Sequence, residues 1–200
     1  MSNWDYAQEV PTQAWRSSMT VAREVSLKKT NDGYILKNIP VAQLKKYQGK
    51  STRKTIKVKA ENQLIEKSQI DLSKAVVDLD LKKMTAGKYT FALKNALGEE
   101  LTFGIDNTTK ELFVDRSKSG NTDFGNHFAT AVSKAPLNKV YSNVKMKLVI
   151  DKTSIEIFFN DGEKVLTEIF FPNEHFSELY LSTDTKGSTL NIRGHQLNIN

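Results

Sequence analysis

Paired carboxylates are the residues of this chain whose spacing most suggests chemistry, because two Asp or Glu side chains flanking a glycosidic bond can divide proton donation and nucleophilic attack between them. Three pairs lie close together: Asp78 with Asp80, Glu99 with Glu100, and Asp115 with Asp123. Asp78 and Asp80 alternate with Val77, Leu79 and Leu81, which places both acids on the wet face of a strand. Glu99 and Glu100 follow Gly98 in a turn. Both pairs read as solvated surface charge. Asp115 differs, since Asp115-Arg116-Ser117-Lys118-Ser119-Gly120 closes an apolar strand with an acid, a base, two hydroxyls and a glycine. The simpler expectation for this stretch is a loop in which Asp115 and Arg116 tie down backbone groups.

Other chemistries find less support. His127, His175 and His195 are far apart and none has a partner at metal-ligand spacing. No cysteine is present, which excludes disulfides, thiolate metal sites and a cysteine nucleophile. No Gly-x-Ser-x-Gly elbow and no Gly-rich phosphate loop occurs. No cofactor is called for. Sugar rings stack on exposed aromatic faces, but no Trp lies beyond residue 49. Tyr47, Tyr141 and Tyr180 are the remaining candidate platforms.

The formal charge of +6 raises the question of nucleic acid. The cations, however, are mostly Lys residues spread singly along alternating segments, such as Lys57 with Lys59 and Lys145 with Lys147, as on a solvated sheet surface. Neither nucleic acid nor membrane is therefore expected as a partner. The opening residues lack the basic start and apolar run of a signal peptide, and no apolar stretch approaches the ~20 residues that span a bilayer. Compartment stays open, since large secreted domains can do without disulfides.

The elements that must position these residues follow a period of two from about Thr55 onward, the mark of half-buried strands. Tyr89, Phe91 and Leu93 alternate. Leu101, Phe103 and Ile105, a turn at Asp106-Asn107-Thr108-Thr109, and Leu112-Phe113-Val114 predict a hairpin over 100–115. Val144 to Ile150 and Ile155 to Phe159 predict a second. Asn160-Asp161-Gly162 supplies the positive-φ residues of a tight turn before a strand from Val165 to Phe171, which Pro172 stops. Leu179 and Leu181, then Leu190 and Ile192 beyond the turn Lys186-Gly187-Ser188, complete the series. Many short strands with almost no helical period predict an all-β fold, a sandwich or barrel. The first fifty residues differ. They hold both tryptophans, Trp4 and Trp15, a strand-like run from Met19 to Leu27, a turn at Asp32-Gly33, and a short helix expected over Val41–Tyr47 after Pro40. A boundary falls near Gly49.

Several ordered stretches carry a family likeness. Met1-Ser2-Asn3-Trp4-Asp5-Tyr6-Ala7, Val10-Pro11-Thr12, Trp15-Arg16-Ser17-Ser18-Met19-Thr20 and Arg23-Glu24-Val25-Ser26-Leu27 resemble the end of the catalytic domain in glycoside hydrolase family 32, which contains levanases, inulinases and invertases. Asp115-Arg116-Ser117 with Ser119-Gly120, and Ile150-Asp151-Lys152-Thr153-Ser154-Ile155-Glu156-Ile157-Phe158 with Asn160-Asp161-Gly162, are similar to signature stretches of that family's C-terminal sandwich. Two positions depart from the family pattern: Ala22 stands for Pro, freeing a backbone N–H, and Lys152 for Arg, replacing a planar fork by a point charge.

The resemblance implies a two-sheet antiparallel β-sandwich over 49–200, preceded over 1–48 by a remnant of a β-propeller blade and a short linker helix. In that family a five-bladed propeller holds the catalytic Asp nucleophile, an Asp in Arg-Asp-Pro and a Glu acid/base, and no matching motif occurs here. The chain alone is accordingly expected to be inactive, and its start inside a family motif suggests a fragment. Trp4 matches a wall of the family's fructose pocket and is the one expected substrate contact. The expected role is a noncatalytic domain that stabilises the catalytic propeller of a retaining β-fructosidase; the alternative is an independent fructan-binding module. Without the other blades, the segment over 1–40 is expected to disorder, to lie on the sandwich, or to add to another copy's sheet edge.

Overall fold

A computed structural model describes residues 5–31 and 33–199. Fourteen strands form: β1 (Arg23–Thr30), β2 (Gly33–Pro40), β3 (Gln48–Lys57), β4 (Glu61–Ile65), β5 (Ala75–Lys82), β6 (Lys88–Lys94), β7 (Glu100–Asp106), β8 (Glu111–Lys118), β9 (Ser133–Pro136), β10 (Asn143–Asp151), β11 (Ser154–Phe159), β12 (Lys164–Ile169), β13 (Glu178–Thr183) and β14 (Thr189–Leu197). Two six-stranded antiparallel sheets face each other, ordered β12-β11-β10-β5-β14-β3 and β4-β13-β6-β7-β8-β9, and β1 and β2 form a separate ribbon. Of the sandwich or barrel that the alternation allows, the two-sheet sandwich implied by the family resemblance is the fold observed.

Alternation decides which residues meet between the sheets. Val77, Leu79 and Leu81 of β5, Val144, Met146, Leu148 and Ile150 of β10, and Leu190 and Ile192 of β14 pack inward from the first sheet. Tyr89, Phe91 and Leu93 of β6 and Leu101, Phe103 and Ile105 of β7 meet them from the second, with the Phe91 and Phe103 rings stacked 5.5 Å apart. Each fully buried large side chain among these contributes about 1.5–3 kcal/mol. The turn expected at 160–162 carries three consecutive positive φ angles, 44° at Asn160, 57° at Asp161 and 81° at Gly162. The residues that tolerate such a backbone are the ones the sequence places there.

Three details go beyond the sequence-based expectation. The segment after Pro40 forms a short 3-10 helix over Ala42–Tyr47 with no fully buried residue; Leu44 alone packs from it, half-buried, against the cluster of Val76, Val149, Phe158 and Leu197. Past that helix the strands of the sandwich begin at Gln48, ahead of the alternation seen from about Thr55. The turn at 186–188 closes no hairpin: β13 pairs with β4 and β6 in one sheet, β14 with β3 and β5 in the other, so the chain crosses between layers there.

Candidate functional interface

Trp4, the expected substrate contact, lies outside the described residues. Two residues further on the chain is anchored: Tyr6 and Val10 are buried with Phe128, Ile169 and Phe171 in a small core beside the main one. Tyr6 meets Phe128 edge-on at 5.1 Å, and Phe124 meets Phe171 the same way at 5.4 Å. This cluster forms because the loop after β8 supplies two phenylalanines that the sandwich cannot bury by itself.

Arg116 holds the cluster to the sheet. Its guanidinium donates to the Ile169 carbonyl at 3.1 Å and to the Tyr6 hydroxyl at 3.2 Å, pairs with Glu168 at 3.1 Å, and lies 4.1 Å from the Phe128 ring centroid. Asp115 accepts from the Ser117 amide at 2.9 Å. The 115–116 pair thus ties down backbone, as expected, but from within β8 rather than from a loop, and Arg116 additionally clamps a segment 110 residues away in sequence.

A second anchor lies under the β1–β2 ribbon. Glu156 is 3% exposed on the outer face of β11 and accepts from the Val21 amide at 2.7 Å. It is also ion-paired with Arg23, whose guanidinium donates to Thr167 at 3.0 Å and covers the Phe158 ring at 5.1 Å. A buried carboxylate survives only with such compensation. Further out, the Asn38 amide donates to the Gly162 carbonyl at 3.0 Å, and Lys28 pairs with Glu163 at 2.9 Å. The ribbon therefore lies on the sandwich, one of the three fates expected for it.

The ribbon's two faces are chemically distinct. Register pairs Val25 with Asn38, Leu27 with Leu36 and Lys29 with Tyr34, so these residues share one face. Val25 is 60% exposed, Leu27 69%, Tyr34 67% and Leu36 53%. The other face turns Glu24, Ser26, Lys37 and Ile39 toward the first sheet and encloses a groove of about 940 Å³, floored by Arg53, Thr55, Asp78, Asp80, Lys145, Lys147, Asn191 and Arg193.

The sequence-derived candidates for acid–base work are all occupied structurally. Asp78 pairs with Lys147, and Asp80 with Lys82 at 3.1 Å. Burial pushes the Glu99 carboxyl up, but hydrogen bonds from Asn173 and Asn95 outweigh it and hold the group below the ordinary range. Glu100 sits 3.6 Å from both Lys94 and Lys118. Asp123 accepts from Thr122 at 3.3 Å. No group of three potential metal ligands occurs among the described residues. Of the candidate platforms, Tyr141 packs edge-on against Phe159 and Tyr180 bonds Glu178, while Tyr47 is half exposed. Sequence reasoning missed Glu156 and Glu168. Their signal was a lone acid inside each of the apolar runs 155–159 and 165–171.

Comparison with known proteins agrees with this architecture. Levanase from Bacillus subtilis (strain 168) is 34% identical over 184 residues, covering 90% of this chain and 27% of the levanase. Extracellular exo-inulinase inuE from Aspergillus niger (strain ATCC MYA-4892 / CBS 513.88 / FGSC A1513) is 28% identical over 202 residues, covering 96% of this chain and 36% of that protein. The chain thus spans only about a quarter to a third of the length of these two relatives. The crystal structure of exo-inulinase from Aspergillus awamori superposes with a TM-score of 0.82 at 28% identity over 98% of this chain and 39% of that one. A β-fructofuranosidase from Schwanniomyces occidentalis, 21% identical, shares the fold at a TM-score of 0.78 over 99% of this chain and 44% of its own. The profile described as glycosyl hydrolases family 32 C terminal matches residues 41–196, more than three quarters of the sequence, and by that match the chain belongs to the C-terminal domain family of glycosyl hydrolases family 32.

Proposed function

We propose that this chain is the noncatalytic C-terminal part of a fructan-cleaving glycoside hydrolase, and that its sandwich packs against and stabilises a catalytic β-propeller, the parent being a retaining β-fructosidase acting on levan, inulin or sucrose. In this reading residues 1–48 are the end of the last propeller blade and its linker, residues 49–200 are the accessory sandwich, and Trp4 belongs to the wall of the fructose pocket. The observation that carries it is the outer face of the β1–β2 ribbon. Val25, Leu27, Tyr34 and Leu36 form an exposed apolar strip on a two-stranded sheet. A lone two-stranded ribbon is marginal in water and calls for further strands or a covering layer. A neighbouring propeller blade supplies both.

The test compares the 200-residue chain with the polypeptide encoded by the reading frame extended upstream of Met1. The chain alone is expected to release no fructose from levan, inulin or sucrose. The longer product is expected to release it, and to protect the amides of residues 24–39 from hydrogen exchange more strongly. Fructose release by the chain alone, or an upstream frame that encodes no propeller, overturns the proposal.

A further inference from the structure

The formal charge of +6 is concentrated at one place in the fold. Seven of the 29 Lys and Arg residues lie within residues 45–59 and none of the 23 acids does, so this stretch carries +7 and the rest of the chain −1. All seven are exposed. Among the described residues none of them forms an ion pair, while cations elsewhere in the chain do. Lys50 and Lys54 donate at 2.9 and 3.1 Å to the carbonyls of Ser68 and Gln63, which orient the ammoniums and leave their charge uncompensated. The five cations from Lys50 to Lys59 sit on β3 or just past its end, a line about 30 Å long at the rise of an extended strand. They also lie on an open edge. β3 closes the first sheet, pairs with β14 alone, and has no backbone partner on its other side over residues 50–57 among the described residues. The ribbon is anchored toward the opposite end of that sheet, on β11, β12 and the turn between them. Only Lys45 and Arg53 of the seven reach the groove beneath it.

We propose that the free edge of β3 takes up an acidic, extended peptide segment of another protein as an additional strand of the first sheet. The proposal is independent of the fructan reading above. Two separate features converge on it: unpaired backbone donors and acceptors supply the hydrogen bonds of strand addition, and the cations supply side-chain recognition. Lys50 and Lys54 stand in the inward phase of Ile56, which packs against the core, while Arg53 and Lys57 stand in the outward phase. An acidic strand laid alongside therefore meets a cation on either face, the favourable cross-strand pairing. A second copy of this chain brings the same cations on its own β3 and is repelled, which is how lysines blunt an exposed edge. Single-stranded nucleic acid uses the charge but not the backbone edge, and it finds no aromatic side chain on β3 to stack against.

The experiment follows, by fluorescence anisotropy, binding of the 200-residue chain to an acetylated peptide of the repeat Glu-Glu-Thr as long as β3, to the same peptide N-methylated at alternate residues, and to oligothymidylate of equal charge. Lys54→Glu and Lys57→Glu are compared with Lys152→Glu, which makes the same change of charge in the turn between β10 and β11, each first checked for an unchanged unfolding midpoint. Should Lys54→Glu shift the midpoint through its lost bond to Gln63, Lys57→Glu decides alone. Peptide binding is expected to weaken as salt is raised, to fall about fivefold or more in both β3 variants but not in Lys152→Glu, to be lost on N-methylation, and to slow hydrogen exchange over residues 50–57. No binding, equal binding of the N-methylated peptide, or an equal loss in Lys152→Glu overturns the strand addition. Tighter binding of oligothymidylate than of the peptide overturns the choice of partner. Each of these outcomes leaves the docking role of the ribbon to its own test.

Discussion

Arg116 connects three parts of the chain through one side chain, so its replacement discriminates between a local and a long-range role. Met at this position keeps the length and much of the packing against Phe128, but strips the nearly buried Glu168 of its cation and Tyr6 of its donor. Removing one partner of such a pair costs about 3 kcal/mol. Arg116→Met is therefore expected to lower the stability measured by urea unfolding by about that amount, and to speed hydrogen exchange over residues 6–10. Arg116→Lys is expected to recover only part of the loss, since an ammonium cannot span Ile169, Tyr6 and Glu168 together. A Met variant within about 0.5 kcal/mol of the parent chain would show that Glu168 is relieved by solvent instead. The Asp115-Arg116 pair was legible in the sequence as a backbone tie, though not as part of β8. Its reach to Tyr6 was not, because nothing in the local pattern reports a partner 110 residues away.

At the scale of elements, the turn between β11 and β12 does two jobs at one glycine. Gly162 closes the hairpin at φ +81°, and a Cβ built on it would overlap the Asn38 backbone of β2. Gly162→Ala meets both a left-handed backbone cost of about 1–2 kcal/mol and a clash with the ribbon. It is expected to raise hydrogen exchange in β1 and β2 more than in β11 and β12; a change confined to β11 and β12 would mean that the strain falls on the hairpin alone. The hairpins β7–β8 and β10–β11 were readable from the alternation along β7 and β10 and from the apolar runs in β8 and β11, the last buried throughout. The edge strands were harder. Over Gln48–Lys57 only Ile56 is apolar, and β9 has four residues, since edges shed apolar side chains to avoid pairing with other molecules. The layer crossing at 186–188 was unreadable for a different reason: a short turn looks the same whether the next strand joins its predecessor's sheet or the facing one.

For the whole molecule, the consequence of an uncovered ribbon is association. The strip of Val25, Leu27, Tyr34 and Leu36 has unpaired strand edges on either side of it, the arrangement that invites another copy to add strands or to bury the same face. Net charge of +6 opposes this at long range, but salt screens it beyond about 8 Å at physiological ionic strength. The isolated chain is therefore expected to sediment as a concentration-dependent mixture of monomer and dimer, shifting toward dimer as salt is raised. Leu27→Lys combined with Leu36→Glu places a charged cross-strand pair where two leucines now face each other. These side chains lie outside the buried clusters, so the double variant is expected to sediment as a monomer with stability within about 0.5 kcal/mol of the parent. If the unmodified chain is monomeric at every concentration and salt, the strip does not drive association, and the docking role proposed for it loses its support.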